Sequence, residues 1–424
     1  LKCGLEPAWI VQFPELIGGM ASLLNGFVVY FADNVLVMMM ACSAGDLGNN
    51  VFGGPLGAGY KGQVLGILAN FAFTMVLYLA VMYRVKSLHV KPGKLAGEDE
   101  DDSSEESLTV YGHMLSILPW IFIVPLTNLC SFLCTDINRT YEGLGEFGGA
   151  CGTAFVVHCG LILAFLTCAW FLGMVYHARE DAAYTFPSTT TFVLNGMNHG
   201  AMSCTGKAFH FTISLVQVAV LGRPWANKLW AIALKQTFST AIFGFMLAYI
   251  LPRFHIETKR DENAHALLAN TCVYAWAFSF INDIWIVFYR YLGHMVGVVM
   301  GQVWFWALVV YWLLAAVLLA HSSDDNYYGG PGNISQAFGS MLCWAIDFGV
   351  WWGWGQIMTY IDDASHHSII VNVLWVVGLL LVTSVTYVMA DVAALIEHRL
   401  HRKQHTVAKH YESLDRNSCA SDSD

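Results

Sequence analysis

Apolar stretches long enough to cross a bilayer recur along nearly the whole chain, and this repetition limits the fold more than any other feature. The runs Gly62–Tyr83, Thr153–Tyr176, Leu229–Leu251 and His294–Ala320 carry few or no charges. About 20 apolar residues in a helix span the hydrocarbon core. Inside lipid the backbone must pair with itself, which selects helix. The expected fold is therefore all-α, a polytopic transmembrane helical bundle whose first partner is the lipid bilayer. Only 12% of the 424 residues are charged, against about 25% in soluble domains.

Ten candidate spans emerge, over 17–40, 62–83, 110–134, 152–176, 207–222, 229–251, 267–289, 295–320, 336–360 and 368–396. They form one membrane domain over 1–400, interrupted by an acidic loop over 84–109 and followed by a tail over 401–424. The fifth span is short, carries Gln217 and follows the polar stretch Asn195–Lys207; a re-entrant segment is the alternative there. Lys and Arg clusters set orientation. Arg84 to Lys94, His177 with Arg179, Arg253 to Arg260 and Arg399 to Lys409 all follow even-numbered spans. Both termini are thus expected in the cytoplasm, with Arg223 and Lys228 as exceptions. The net charge of −10 comes largely from Glu98–Glu106, so it carries no indication of a nucleic-acid partner.

Spans one to four resemble spans seven to ten in order. Phe31-Ala32-Asp33-Asn34-Val35 parallels Phe280-Ile281-Asn282-Asp283-Ile284, and Gly112-His113-Met114-Leu115 parallels Gly339-Ser340-Met341-Leu342. A shift of six spans makes a parallel internal repeat, an arrangement that places transporter sites at repeat interfaces. Chance alignment of apolar segments is the competing explanation.

Ionisable groups inside spans are costly and mark function by default. The candidates for a solute or ion pathway are Asp33 with Asn34, Asn282 with Asp283, Asp347, and Lys235 with Gln236. A carboxylate beside a carboxamide offers oxygen ligands to a cation, or holds a proton. The plainer alternative is that Lys235 pairs with one of these Asp residues and locks the bundle. Gln63, Gln302 and Gln356 follow glycines and read first as packing residues. The stretch Gly349–Gln356 concentrates tryptophan around glycine, as an interfacial belt or a cavity wall.

No zinc spacing, phosphate loop or nucleophile motif is present, and no cofactor is expected. Cys134 and Cys151 bracket a polar loop and are the disulfide candidates in an oxidising compartment. Asn138 heads a glycosylation sequon, and Ser103 and Ser104 lie among acidic residues that suit a kinase. The histidines at 398, 401 and 405, and the group Asp362, Asp363, His366 and His367, read as solvated clusters before metal sites.

These features point to a multi-pass transporter or channel for a small solute or ion, coupled to a proton or cation through an in-membrane carboxylate. A non-transporting receptor or assembly subunit is the alternative, and a lipid-modifying enzyme the third. The expected location is the plasma membrane or an endomembrane. Small-residue helix faces leave room for a homo-oligomer.

Overall fold

The computed structural model describes residues 26–28, 30–48, 50–51, 59–89, 115, 118–142, 149–180, 189–226, 228–322, 334–365, 368–389 and 392. Among these residues the structure is helical, with no strand. Ten helices organise it. They are α1 (Val37–Gly48), α2 (Tyr60–His89), α3 (Trp120–Glu142), α4 (Gly149–Glu180) and α5 (Thr189–Leu221). Then come α6 (Leu229–Phe245), α7 (Lys259–Ile286), α8 (Val298–Ser322), α9 (Ile334–Ala364) and α10 (Ile369–Met389).

Eight helices among the described residues, α2 to α8 and α10, are long and apolar enough to cross a membrane. This is an integral, multi-pass membrane protein. The remaining two differ for separate reasons. Helix α1 has 12 residues, about 18 Å at 1.5 Å per residue, and is preceded by a wide π turn over Phe31–Leu36. Helix α9 has 31 residues, but Ser, Gln, Gly and Asp347 dilute its apolar character because it faces protein rather than lipid.

The odd-numbered helices form a closed ring, each touching the next from α1 through α3, α5, α7 and α9 back to α1. All five run in the same direction. Between α3 and α5, Phe122 meets Gly196 and Leu126 meets Gly200, and farther along Cys130 donates to the Cys204 carbonyl at 3.6 Å. Between α5 and α7, Gly206 meets Tyr274 and His210 bonds Ser279 at 2.9 Å. Tyr274, Phe278 and Trp285 on α7 meet Trp344, Phe348 and Trp352 on α9 in that order. Trp354 donates to Ser43 of α1, and Asn50 just beyond α1 donates to Asp362.

The even-numbered helices lie outside the ring and run against it. Tyr60 and Phe71 of α2 meet Asp136 and Phe122 of α3 in reversed order. Lys235 and Thr240 of α6 meet Asp283 and Trp276 of α7. Asn372 and Trp375 of α10 meet Asp362 and Trp354 of α9. These outer helices expose large apolar side chains, among them Leu68, Val76, Leu163, Tyr311 and Leu374. Such surface is stable against acyl chains and explains the uninterrupted hydropathy of α2, α4 and α10.

Glycine makes the ring tight. A Cβ on Gly206 would stand 2.7 Å from the Tyr274 Cβ and 3.0 Å from the Ala275 backbone nitrogen. Small residues let helix backbones approach in lipid, where packing rather than the hydrophobic effect drives association.

One span boundary differs from the sequence expectation. The fifth helix is continuous from Thr189, eighteen positions before the expected start at 207. Its polar first half, with Asn195, Asn198, His199 and Ser203, lowers hydropathy without breaking the helix because it packs against α3 and α7. Helix α3 begins at Trp120, after a turn at Leu118-Pro119; of the earlier part of the expected third span, residues 110–114, 116 and 117 lie outside the described residues, and Leu115 is helical.

Candidate solute cavity in the helix ring

Inside the ring, toward the C-terminal ends of the odd helices, is a cavity of about 270 Å³. Its walls come from α1 (Cys42, Gly45, Asp46), α3 (Asn128, Ser131), α5 (Lys207), α7 (Phe278) and α9 (Trp351, Trp352, Gln356, Thr359). A second cavity of about 400 Å³ shares Ser131, Phe278 and Trp352 with the first. It continues along Asn138, His210, Ser214 and Asn282. The two adjoin, and both use odd helices alone.

Lys207 is a deeply buried charged group in the first cavity's wall. It is 2% exposed, and its Nζ donates to the Thr127 carbonyl at 3.0 Å. The same Nζ stands 3.7 Å from the Trp351 ring centroid and 5.0 Å from that of Phe278. A ring face attracts a cation through its quadrupole. Among the described residues no carboxylate lies within ion-pair distance of Lys207. A lysine ammonium has three donors, and one goes to Thr127. That carbonyl also accepts from the Ser131 hydroxyl at 3.0 Å.

Toward the N-terminal ends of the odd helices, aromatic side chains from several of them meet. Trp344 stacks obliquely on Tyr274 at 4.2 Å and on Trp120 at 5.3 Å. His199 faces the Tyr274 hydroxyl at 3.5 Å and the Trp120 ring at 6.5 Å. Among the described residues, the two cavities lie toward one end of the interior and these aromatic contacts toward the other.

The sequence-derived candidates separate in space. Asn282 lines the second cavity. Asp283, the next residue, turns the other way and pairs with Lys235 at 2.6 Å across the α6–α7 contact. Gln236 is half-buried beside this pair, with its amide 3.5 Å from the Thr240 hydroxyl. Asn34 is buried and donates to the Tyr30 carbonyl at 2.9 Å, a local bond in the π turn. Asp347 is buried on α9 and lines neither cavity. The side chain of Asp33 lies outside the described residues.

Cys134 is a buried thiol. It packs with Cys130 and Cys204 where α3 meets α5, and the Cys151 side chain lies outside the described residues. Asn138 occupies the last turns of α3 with its amide oxygen 2.8 Å from His158 Nε2, a position inside the bundle. Ser103, Ser104, the rest of the acidic loop and the C-terminal tail lie outside the described residues.

Two charged cavity residues are absent from the sequence-derived candidates. Lys207 falls at the expected edge of the fifth span, where it reads as a boundary charge. The signal for it is the spacing of small residues at Gly196, Gly200, Ser203 and Gly206, which continues one helix across the polar stretch. Asp46 falls beyond the expected end of the first span. Compared with known protein families, curated proteins and solved structures, the chain matches none.

Proposed function

We propose that the protein is a multi-pass membrane transporter or channel for a small solute or ion, in the plasma membrane or an endomembrane. One observation carries this reading: two adjoining cavities with mixed polar and apolar walls run inside a ring of five parallel helices, while apolar outer helices surround it. Soluble ligands bind in such concave, sparsely polar sites.

In this proposal all ten helices cross the membrane. Helices α7 to α10 repeat α1 to α4, which places inner helix on inner and outer on outer. The pathway contains Asn282 in its wall. Asp33, Asn34 and Asp347 lie on inner helices, available for proton or cation coupling. Lys235, Gln236 and Asp283 form a layer behind the wall.

The test is uptake in proteoliposomes. Ser131→Trp, which fills the junction of the two cavities, should abolish uptake of any solute the native protein carries. Neutralising Asp33, Asp283 and Asp347 one at a time then finds the coupling group. Uptake that survives the Ser131→Trp plug would remove this route.

A second reading, a receptor or assembly subunit, draws on the Lys235–Asp283 pair. That contact ties an outer helix to an inner one without touching either cavity, as a structural lock does.

A further inference from the structure

The first cavity has two charged side chains among its walls, one of each sign. Lys207 lies at the buried end. Asp46 is only partly buried, two residues before the end of α1. The same walls include Asn128, Gln356, Ser131, Trp351 and Trp352.

An ammonium held in low dielectric without a counter-ion is costly. Among the described residues the protein supplies Lys207 with one neutral carbonyl and two ring faces, and Lys207 itself lines the cavity. A ligand anion completes such a site. A simple anion would also meet the Asp46 carboxylate, and a simple cation would meet Lys207. A molecule carrying both charges satisfies both walls.

We propose that this cavity binds a small zwitterion of the amino-acid type, its carboxylate on Lys207 Nζ and its ammonium toward Asp46. Its apolar part packs against Trp351 and Trp352. The volume of about 270 Å³ suits a small molecule rather than a drug-sized one. The inference names a substrate class for the transport reading above and rests on that reading for its purpose.

The test uses the full chain purified in micelles, with unfolding temperature as the readout. The probes are L-alanine, L-leucine and 4-aminobutyrate, each beside its carboxylate-only and amine-only analogue. At least one zwitterion should raise the unfolding temperature saturably, while its two analogues do not. Lys207→Met and Asp46→Asn should each weaken binding by about tenfold or more, and Lys207→Arg should retain most of it. If Lys207→Met fails to fold, Asp46→Asn and Lys207→Arg still decide. A carboxylate that matches its zwitterion, an Asp46→Asn variant with unchanged affinity, or no shift from any probe overturns the proposal. Uptake of the same radiolabelled probes separates the two levels. Binding without uptake overturns transport and leaves the site. Uptake that ignores Lys207 and Asp46 overturns the site and leaves transport.

Discussion

The Nζ of Lys207 stands 3.7 Å from the centroid of the Trp351 ring and donates to the Thr127 carbonyl at 3.0 Å. A desolvated cation over an indole gains about 2 kcal/mol. Trp351→Leu should therefore lower stability by about 1–2 kcal/mol, and Trp351→Phe by less, because a smaller ring keeps part of the quadrupole. Chemical unfolding in micelles measures both. An unchanged midpoint for Trp351→Leu would show that the ring does not hold the ammonium.

Gly206 gives a sharper steric prediction. Gly206→Val places methyl groups where the Tyr274 Cβ and Ala275 nitrogen already stand. Overpacking of this kind costs about 1–3 kcal/mol, occasionally more. On α4, a methyl group added at Gly160 would meet nothing within 4 Å, so Gly160→Ala should be neutral or stabilising by up to about 1 kcal/mol through helix propensity. The pair of variants, compared by thermal unfolding, separates close approach from helix propensity.

The Lys235–Asp283 pair is open to a double-mutant cycle. Both side chains are nearly fully buried, so removing one partner leaves an uncompensated charge. Lys235→Met or Asp283→Leu alone should cost about 3–5 kcal/mol, and the double variant should regain most of the loss. Additive losses would mean that the two groups act independently.

The exposed first turn of α7, ahead of its apolar stretch, has a pH dependence of definite sign. Thr258 and Asp261 form a reciprocal capping box. The Thr258 hydroxyl, two backbone amides and nearby Arg260 hold the Asp261 carboxyl below its usual range. A carboxylate lowered by folding contributes stability above its unfolded value, and the contribution disappears as pH falls through the folded value. Protection of the Asp261 and Glu262 amides, taken as the exchange rate relative to an unstructured chain at the same pH, should be highest near neutral pH and fall in acid. Asp261→Asn should remove that acid-dependent change.

Much of the architecture is legible in the sequence because lipid-facing helices announce themselves. Helices α2, α4, α8 and α10 turn long apolar faces outward, so hydropathy alone locates them. The inner helices are harder to read, since residues that face protein are free to be polar. For that reason hydropathy starts α5 only at Lys207 and leaves Asp46 outside α1. The paired charges at Lys235 and Asp283 are visible as an alternative lock, because a buried lysine in an apolar helix needs a partner. The cavity is not visible, because its walls come from five helices whose mutual register no single segment encodes. Asn282 and Asp283 illustrate the limit: adjacent residues on one helix, one facing the cavity and the other the α6 lysine.

The common direction of the five inner helices has an electrostatic consequence. Each helix carries about half an elementary charge of each sign at its ends, positive at the N-terminus and negative at the C-terminus. In an alternating bundle neighbouring ends would cancel at each mouth. Here the mouth nearest Asp46 gathers five partial negative ends, and the opposite mouth gathers five partial positive ones, with the outer ring of reversed helices farther from the axis. The interior is thus polarised along its length, and the two faces of the protein offer an entering charge opposite receptions.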